Sequence, residues 1–81
     1  MKYPSGELAN LGDKVALGDD DAGEVVCSLD TGEFSPRYPQ AAWAYLERGV
    51  LINFPKYGLI HYLAAEPDLE FLERAPTRLE K

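Results

Sequence analysis

Hard cations are held by clustered carboxylate oxygens, and this 81-residue chain offers Asp19-Asp20-Asp21 followed by Glu24 as such a cluster. The spacing of a calcium-binding EF-hand loop is absent, because Gly23 stands fifth from Asp19 and the residues after it do not lead to a ligating Glu. The run reads instead as a solvated hairpin tip or a partner-facing anion patch, and no metal or other cofactor is expected. His61 is the only histidine, and a general base would need a positioned partner and a substrate pocket that the flanking sequence does not supply. Cys27 lies in an apolar run with Val25 two residues before it and no neighbouring cation to activate a thiolate, so it reads as a small buried residue. Ser5, Ser28 and Ser35 lack a nucleophile-elbow context, and residues 18–23 are acidic where a phosphate cradle needs free N–H groups and a lysine. The expectation is binding without catalysis.

Charge sharpens that expectation. The chain carries a net charge of −6, and residues 7–33 hold eight carboxylates against Lys14 alone, a net −7. Phosphate contacts are made mainly by Lys and Arg, so direct nucleic-acid binding is disfavoured, whereas such a field attracts a basic protein and speeds its encounter. The single cysteine excludes an intramolecular disulfide and fits a reducing compartment. The N-terminus carries no apolar leader, and no stretch approaches the roughly 18 apolar residues of a membrane span, so the expected location is cytoplasmic, without membrane contact.

A chain this short has room for one core. With 46% apolar residues, residues 1–75 are expected to form a single domain, with 76–81 a frayed tail. Turn residues cut the chain into short pieces, the pattern of an antiparallel meander. Residues 10–13 form a turn into a strand at residues 14–17, with Val15 and Leu17 on one face. The Gly-rich acidic residues 18–23 join it, hairpin fashion, to a β-branched run at 24–30. Pro36 and Pro39 make residues 32–39 a loop, after which a helix of at most two turns spans 40–47 and stops at Gly49. Residues 50–54 put Val50, Ile52 and Phe54 on one face, and a turn at 55–58 leads to a strand at 59–63 in which His61 shares a face with Leu59 and Leu63. Residues 69–73 satisfy both a strand, through Leu69 and Phe71, and a short helix, through Leu69 and Leu72; the strand is the preferred reading. Trp43, Phe54 and Phe71 are assigned to the core, and Tyr45 and Tyr62 to its margin. Tyr38 and Tyr57 sit beside prolines in loops, where an amphipathic ring can anchor a partner; for Tyr57, packing over the hairpin turn is the equal alternative.

Gly12-Asp13-Lys14-Val15, Leu17 and Gly23-Glu24-Val25-Val26 resemble the opening hairpin of SH3-like barrels of the KOW type. The resemblance implies a mainly β fold: a small SH3-like, partly open barrel of about five antiparallel strands with one short helix. The RNA binding usual in KOW domains uses basic loops, where this chain has Asp19-Asp20-Asp21. Through Cys27-Ser28-Leu29-Asp30-Thr31-Gly32-Glu33, Trp43-Ala44-Tyr45-Leu46, Gly49-Val50-Leu51-Ile52 and Gly58-Leu59-Ile60-His61-Tyr62, the chain also resembles small bacterial proteins encoded beside polymorphic or Rhs-type toxins. That resemblance implies an immunity protein, and the acidic charge makes a basic toxin domain, such as a nuclease, the expected partner. The expected contact residues are Asp19, Asp20, Asp21, Glu33, Tyr38 and Tyr57. The alternative is an SH3-like accessory domain that binds a peptide or a ribosomal or transcription component.

Overall fold

Among the described residues six short strands succeed one another: β1 (Lys14–Leu17), β2 (Asp20–Ser28), β3 (Glu33–Phe34), β4 (Val50–Phe54), β5 (Gly58–Tyr62) and β6 (Leu69–Glu73). A one-turn helix, α1 (Gln40–Trp43), and a 3-10 turn (Ala44–Leu46) lie between β3 and β4. The computed structural model describes residues 1–64 and 66–74, so the tail expected over 76–81 lies outside the described residues. All pairings are antiparallel in the order β5-β4-β2-β1-β6, with β3 added to β2. Among the described residues the sheet does not close, and β5 and β6 each pair along one edge only. The chain thus adopts the expected mainly β architecture; β3 is an additional strand, and residues 69–73 are a strand paired with β1.

The first hairpin departs from expectation in a way that matters for the acidic run. Leu17 pairs with Asp20, leaving only Gly18 and Asp19 in the loop. Gly18 has φ +60° and Asp19 does not share the positive φ, the pattern of a II′ hairpin, which glycine adopts without steric cost. Residues 20–23, read as loop, therefore belong to β2. Gly23 is needed there for space: a Cβ would overlap the Phe54 ring and come within 2.9 Å of Val15 Cγ2.

A second departure lies in the middle of β2. Val25 pairs with Ile52 and Cys27 with Leu51, a register shift that makes Val26 an extra residue. Cross-strand partners share a face, and Ile52 and Leu51, being adjacent, point to opposite faces. The bulge thus sends Val25 and Cys27 to opposite sides of the sheet, although their spacing of two had placed them together. Val25 and Ile52 join the core with Tyr3, Ala9, Val15, Val50, Phe54, Tyr62 and Leu69, whereas Cys27 and Leu51 are buried outside that cluster. The alternation of Val50, Ile52 and Phe54 is realised as expected. Trp43 is not in the core, and Tyr45 is 71% exposed, because α1 and the 3-10 turn bury none of their residues.

Residues 1–10, to which periodicity assigns no element, complete the core. Asp13 is fully buried and accepts hydrogen bonds from Tyr3 Oη at 2.7 Å, Asn10 N at 2.9 Å and Arg74 Nη1 at 3.1 Å. Arg74 Nη1 also donates to the Leu8 carbonyl at 2.8 Å, and Arg74 Nη2 to Glu7 Oε1 at 3.0 Å. Its guanidinium lies 5.0 Å from the centre of the Phe71 ring, which stacks on Tyr3 at 4.9 Å. Burial and the bond to Asp13 push the Tyr3 phenol far above its ordinary pKa, so it is a fixed donor. A buried donor stripped of its acceptor costs about 1–3 kcal/mol. Asp13→Ala is therefore expected to lower unfolding free energy by more than about 2 kcal/mol in urea titrations, and Tyr3→Phe by less, since it removes a donor together with its bond. Equal losses for the two variants would contradict the central role of the carboxylate.

Candidate functional site

The acidic run divides by position. Asp20 is 2% exposed, and both its oxygens are engaged: Oδ1 accepts from Ala22 N at 3.0 Å and Oδ2 from Lys56 N at 2.7 Å. It therefore stitches the β1–β2 turn to the β4–β5 turn, and its carboxylate is withdrawn from the surface on which it was expected. Asp19 stays exposed but is bridged by Tyr57 Oη at 2.7 Å and Lys56 Nζ at 3.2 Å. Asp21 is exposed. Tyr57 packs edge-to-face on Phe54 with centroids 6.2 Å apart, so it covers the hairpin turn while remaining 49% exposed. Of the two readings of Tyr57, packing is directly visible, with half the ring still open to solvent.

Glu33 and Tyr38 belong to the opposite end of β2. Glu33 pairs with Ser28, and its Oε1 accepts from Thr31 Oγ1 at 2.7 Å and from Leu11 N at 3.1 Å. Tyr38 closes a tight turn with Ser35, whose hydroxyl donates to the Val26 carbonyl at 2.6 Å. Ser35 and Tyr38, without Glu33, line a cleft of about 730 Å³ with Leu11, Val26, Pro36 and Arg37, which also takes in the cross-strand row Lys14, Glu24 and Asn53. The six expected contact residues thus form two groups, one at each end of the nine-residue β2.

A surface feature absent from the expected set extends from Tyr38. Its ring lies 5.8 Å from Trp43, and Trp43 stacks on Tyr45 at 6.2 Å, giving a row of three aromatics from the loop before α1 to the 3-10 turn. Residues two apart in a regular helix point away from each other. The backbone at Trp43 (φ −117°, ψ −7°) breaks the helix and brings the two rings side by side. A clue was present in the sequence: Trp43 and Tyr45 at a spacing of two cannot both face the core from one helix. The segment ends on Glu47, the one non-glycine residue with positive φ among those described (+72°), in a three-residue turn closed by Arg48 N to the Leu46 carbonyl at 2.8 Å. Gly49, expected as the left-handed stop, has φ +90°.

The other chemistry-bearing residues are tied into the structure. His61 Nε2 lies 2.8 Å from the Arg48 carbonyl, to which it donates, on the face away from the core. Burial raises the Cys27 thiol, which disfavours a thiolate nucleophile. Among the described residues no three His, Cys, Asp or Glu side chains converge as a metal site, and no helix is long and apolar enough to cross a membrane. The site and fold define a small, open, antiparallel β domain with an aromatic row in which Tyr45 is exposed and Tyr38 and Trp43 are half-buried. In comparisons with family models, curated proteins and solved structures, nothing matches this chain.

The Tyr57 hydroxyl, and after it the Lys56 ammonium, hold the Asp19 carboxyl below its ordinary value of 3.8. Because the folded value is the lowered one, any stability from this contact is complete above the ordinary carboxylate range and fades as pH falls through the lowered value. Tyr57→Phe is expected to move the Asp19 titration, followed by carboxyl-carbon NMR, up toward 3.8. An unmoved midpoint would show that the hydroxyl does not bond the carboxylate in solution. At Glu47, backbone strain of about 1–3 kcal/mol exceeds the roughly 0.5–1 kcal/mol entropic cost of glycine. Glu47→Gly is accordingly expected to raise the melting temperature, and a fall would mean that the turn is unstrained.

Proposed function

We propose that this chain is a protein-binding module, an immunity protein that neutralises a basic toxin domain by occupying it. The observation that carries the binding role is the aromatic row of Tyr38, before α1, Trp43, which ends α1, and Tyr45 in the 3-10 turn, with Tyr38 and Trp43 half-buried and Tyr45 exposed. A chain of 81 residues that leaves its only tryptophan outside the core spends apolar area which folding would otherwise use. Tryptophan and tyrosine rings left partly at the surface are among the residues that most often dominate binding energy. The net charge of −6 supports a basic partner and weighs against nucleic acid, and a nuclease domain has the matching surface. The toxin itself is suggested by the resemblance of the sequence to proteins encoded beside polymorphic toxins.

The acidic surface proposed for the contact contains Asp19, Asp21 and Glu33, without Asp20. A second reading, an SH3-like accessory domain that takes a peptide, is favoured by the cleft lined by Pro36 and Tyr38, where Lys14 pairs with Glu24 and Arg37 adds a further cation.

Co-expression with the product of the neighbouring gene separates these readings. Under the immunity reading, that product arrests growth, this chain restores it, and the two co-purify. Trp43→Ala and Tyr45→Ala should each weaken the complex about tenfold or more at unchanged melting temperature, as expected for hot-spot aromatics. A toxic neighbour that this chain neither binds nor silences would sink the immunity role.

A further inference from the structure

Among the described residues no strand lies beside the outer edge of β6, and the residues that edge presents specify what could be added. In the register of the sheet, Asn53, Glu24, Lys14 and Glu73 form one row across β4, β2, β1 and β6. Charge alternates along that row: Lys14 Nζ lies 3.4 Å from Glu24 Oε1, and Glu73 is the register partner of Lys14 on the other side. The row ends on a carboxylate at the open edge, so the next position in the sheet calls for a cation. Glu70, opposite Ala16, offers a second exposed carboxylate on the same face, and Asp68 and Glu66 precede it in the chain. On the other face Leu69 and Phe71 turn toward the core, beside a groove of about 450 Å³ lined by Pro4, Ser5 and Pro67.

We infer that β6 is a docking edge for an extended segment of a partner protein in which Lys or Arg alternates with apolar residues. The basic side chains meet Glu70 and Glu73, the apolar ones enter the groove at Pro4 and Pro67, and main-chain hydrogen bonds to β6 supply sequence-independent affinity. Carboxylates on an edge strand also prevent self-pairing. An antiparallel β6–β6 contact between two copies would oppose like charges, which disfavours a second copy as occupant. The inference rests on the reading of this chain as a binder of basic protein and adds where that partner would dock.

The test uses the full chain, amide hydrogen exchange and NMR shift mapping, with a capped nine-residue peptide alternating Lys and Val as probe and its Glu and Val counterpart as control. The Lys peptide is expected to bind, to slow exchange of alternate amides within residues 69–73, and to weaken as salt is raised; the Glu peptide should not bind. Glu70→Lys, which touches no partner strand charge, should weaken the Lys peptide tenfold or more at unchanged circular dichroism. Glu70→Lys with Glu73→Lys should abolish binding. Three outcomes overturn the inference: shifts that map away from 69–73, equal binding by Glu70→Lys, or edge amides already protected in the free chain, with sedimentation distinguishing cover by a second copy from cover by the chain itself. Growth rescue by co-expression together with no peptide binding at β6 rejects this edge and leaves the immunity role standing. Peptide binding without rescue does the reverse.

Discussion

The buried carboxylate of Asp13 is the constraint on which the rest of the structure depends. An acidic group taken out of water must be met by donors, and here they come from three parts of the chain: Tyr3 near the start, Asn10 in the turn before β1, and Arg74 after β6. The backbone of the same residue continues the ladder, since its carbonyl accepts from Val25 N at 3.0 Å while Gly12 N donates to the Val25 carbonyl at 2.8 Å. One residue thereby ties the N-terminal segment to the β1–β6 end of the sheet. Without it Arg74 would keep only its bonds to the Leu8 carbonyl and Glu7, and Tyr3 would lose the bond that anchors it over Phe71.

A similar device works on a smaller scale at the other end of the sheet. Asp20 joins two hairpin turns through backbone donors, and Asp19, Lys56 and Tyr57 close over it. Much of the acidity of residues 7–33 is therefore committed within the molecule. Asp13 and Asp20 are buried, Glu7 bonds Arg74, Glu24 bonds Lys14, and Glu33 caps the Leu11 amide. A charge count along the chain treats every carboxylate as equally available, but only those left at the surface without a bonded donor act at full strength on a partner.

The aromatic residues show the same division between type and place. Phe54 and Tyr62 lie where alternation in a strand puts them, because a half-buried strand has only two faces and one must be the core. Trp43 carries the largest apolar side chain in the sequence, yet it sits on a helix too short to present a continuous stripe to the sheet. Its partners are Tyr38 and Tyr45, neighbours in sequence brought together by a broken helical turn.

The sequence by itself determined the strands at residues 14–17 and 50–54, the strand that completes the last hairpin to within one residue (59–63 expected, 58–62 found), the turn at 55–58, a brief helix after Pro39, and the mainly β class. These follow from local sterics and from period-two alternation, which a short window of residues contains in full. Only the tertiary structure decided that Asp20 is buried while Asp19 and Asp21 are not, that Val25 and Cys27 face opposite ways, and that Arg74 reaches Asp13. Each depends on register or on a contact between distant segments. A bulge of one residue inverts every face after it, and a carboxylate is withdrawn from solvent only by donors that the fold carries to it.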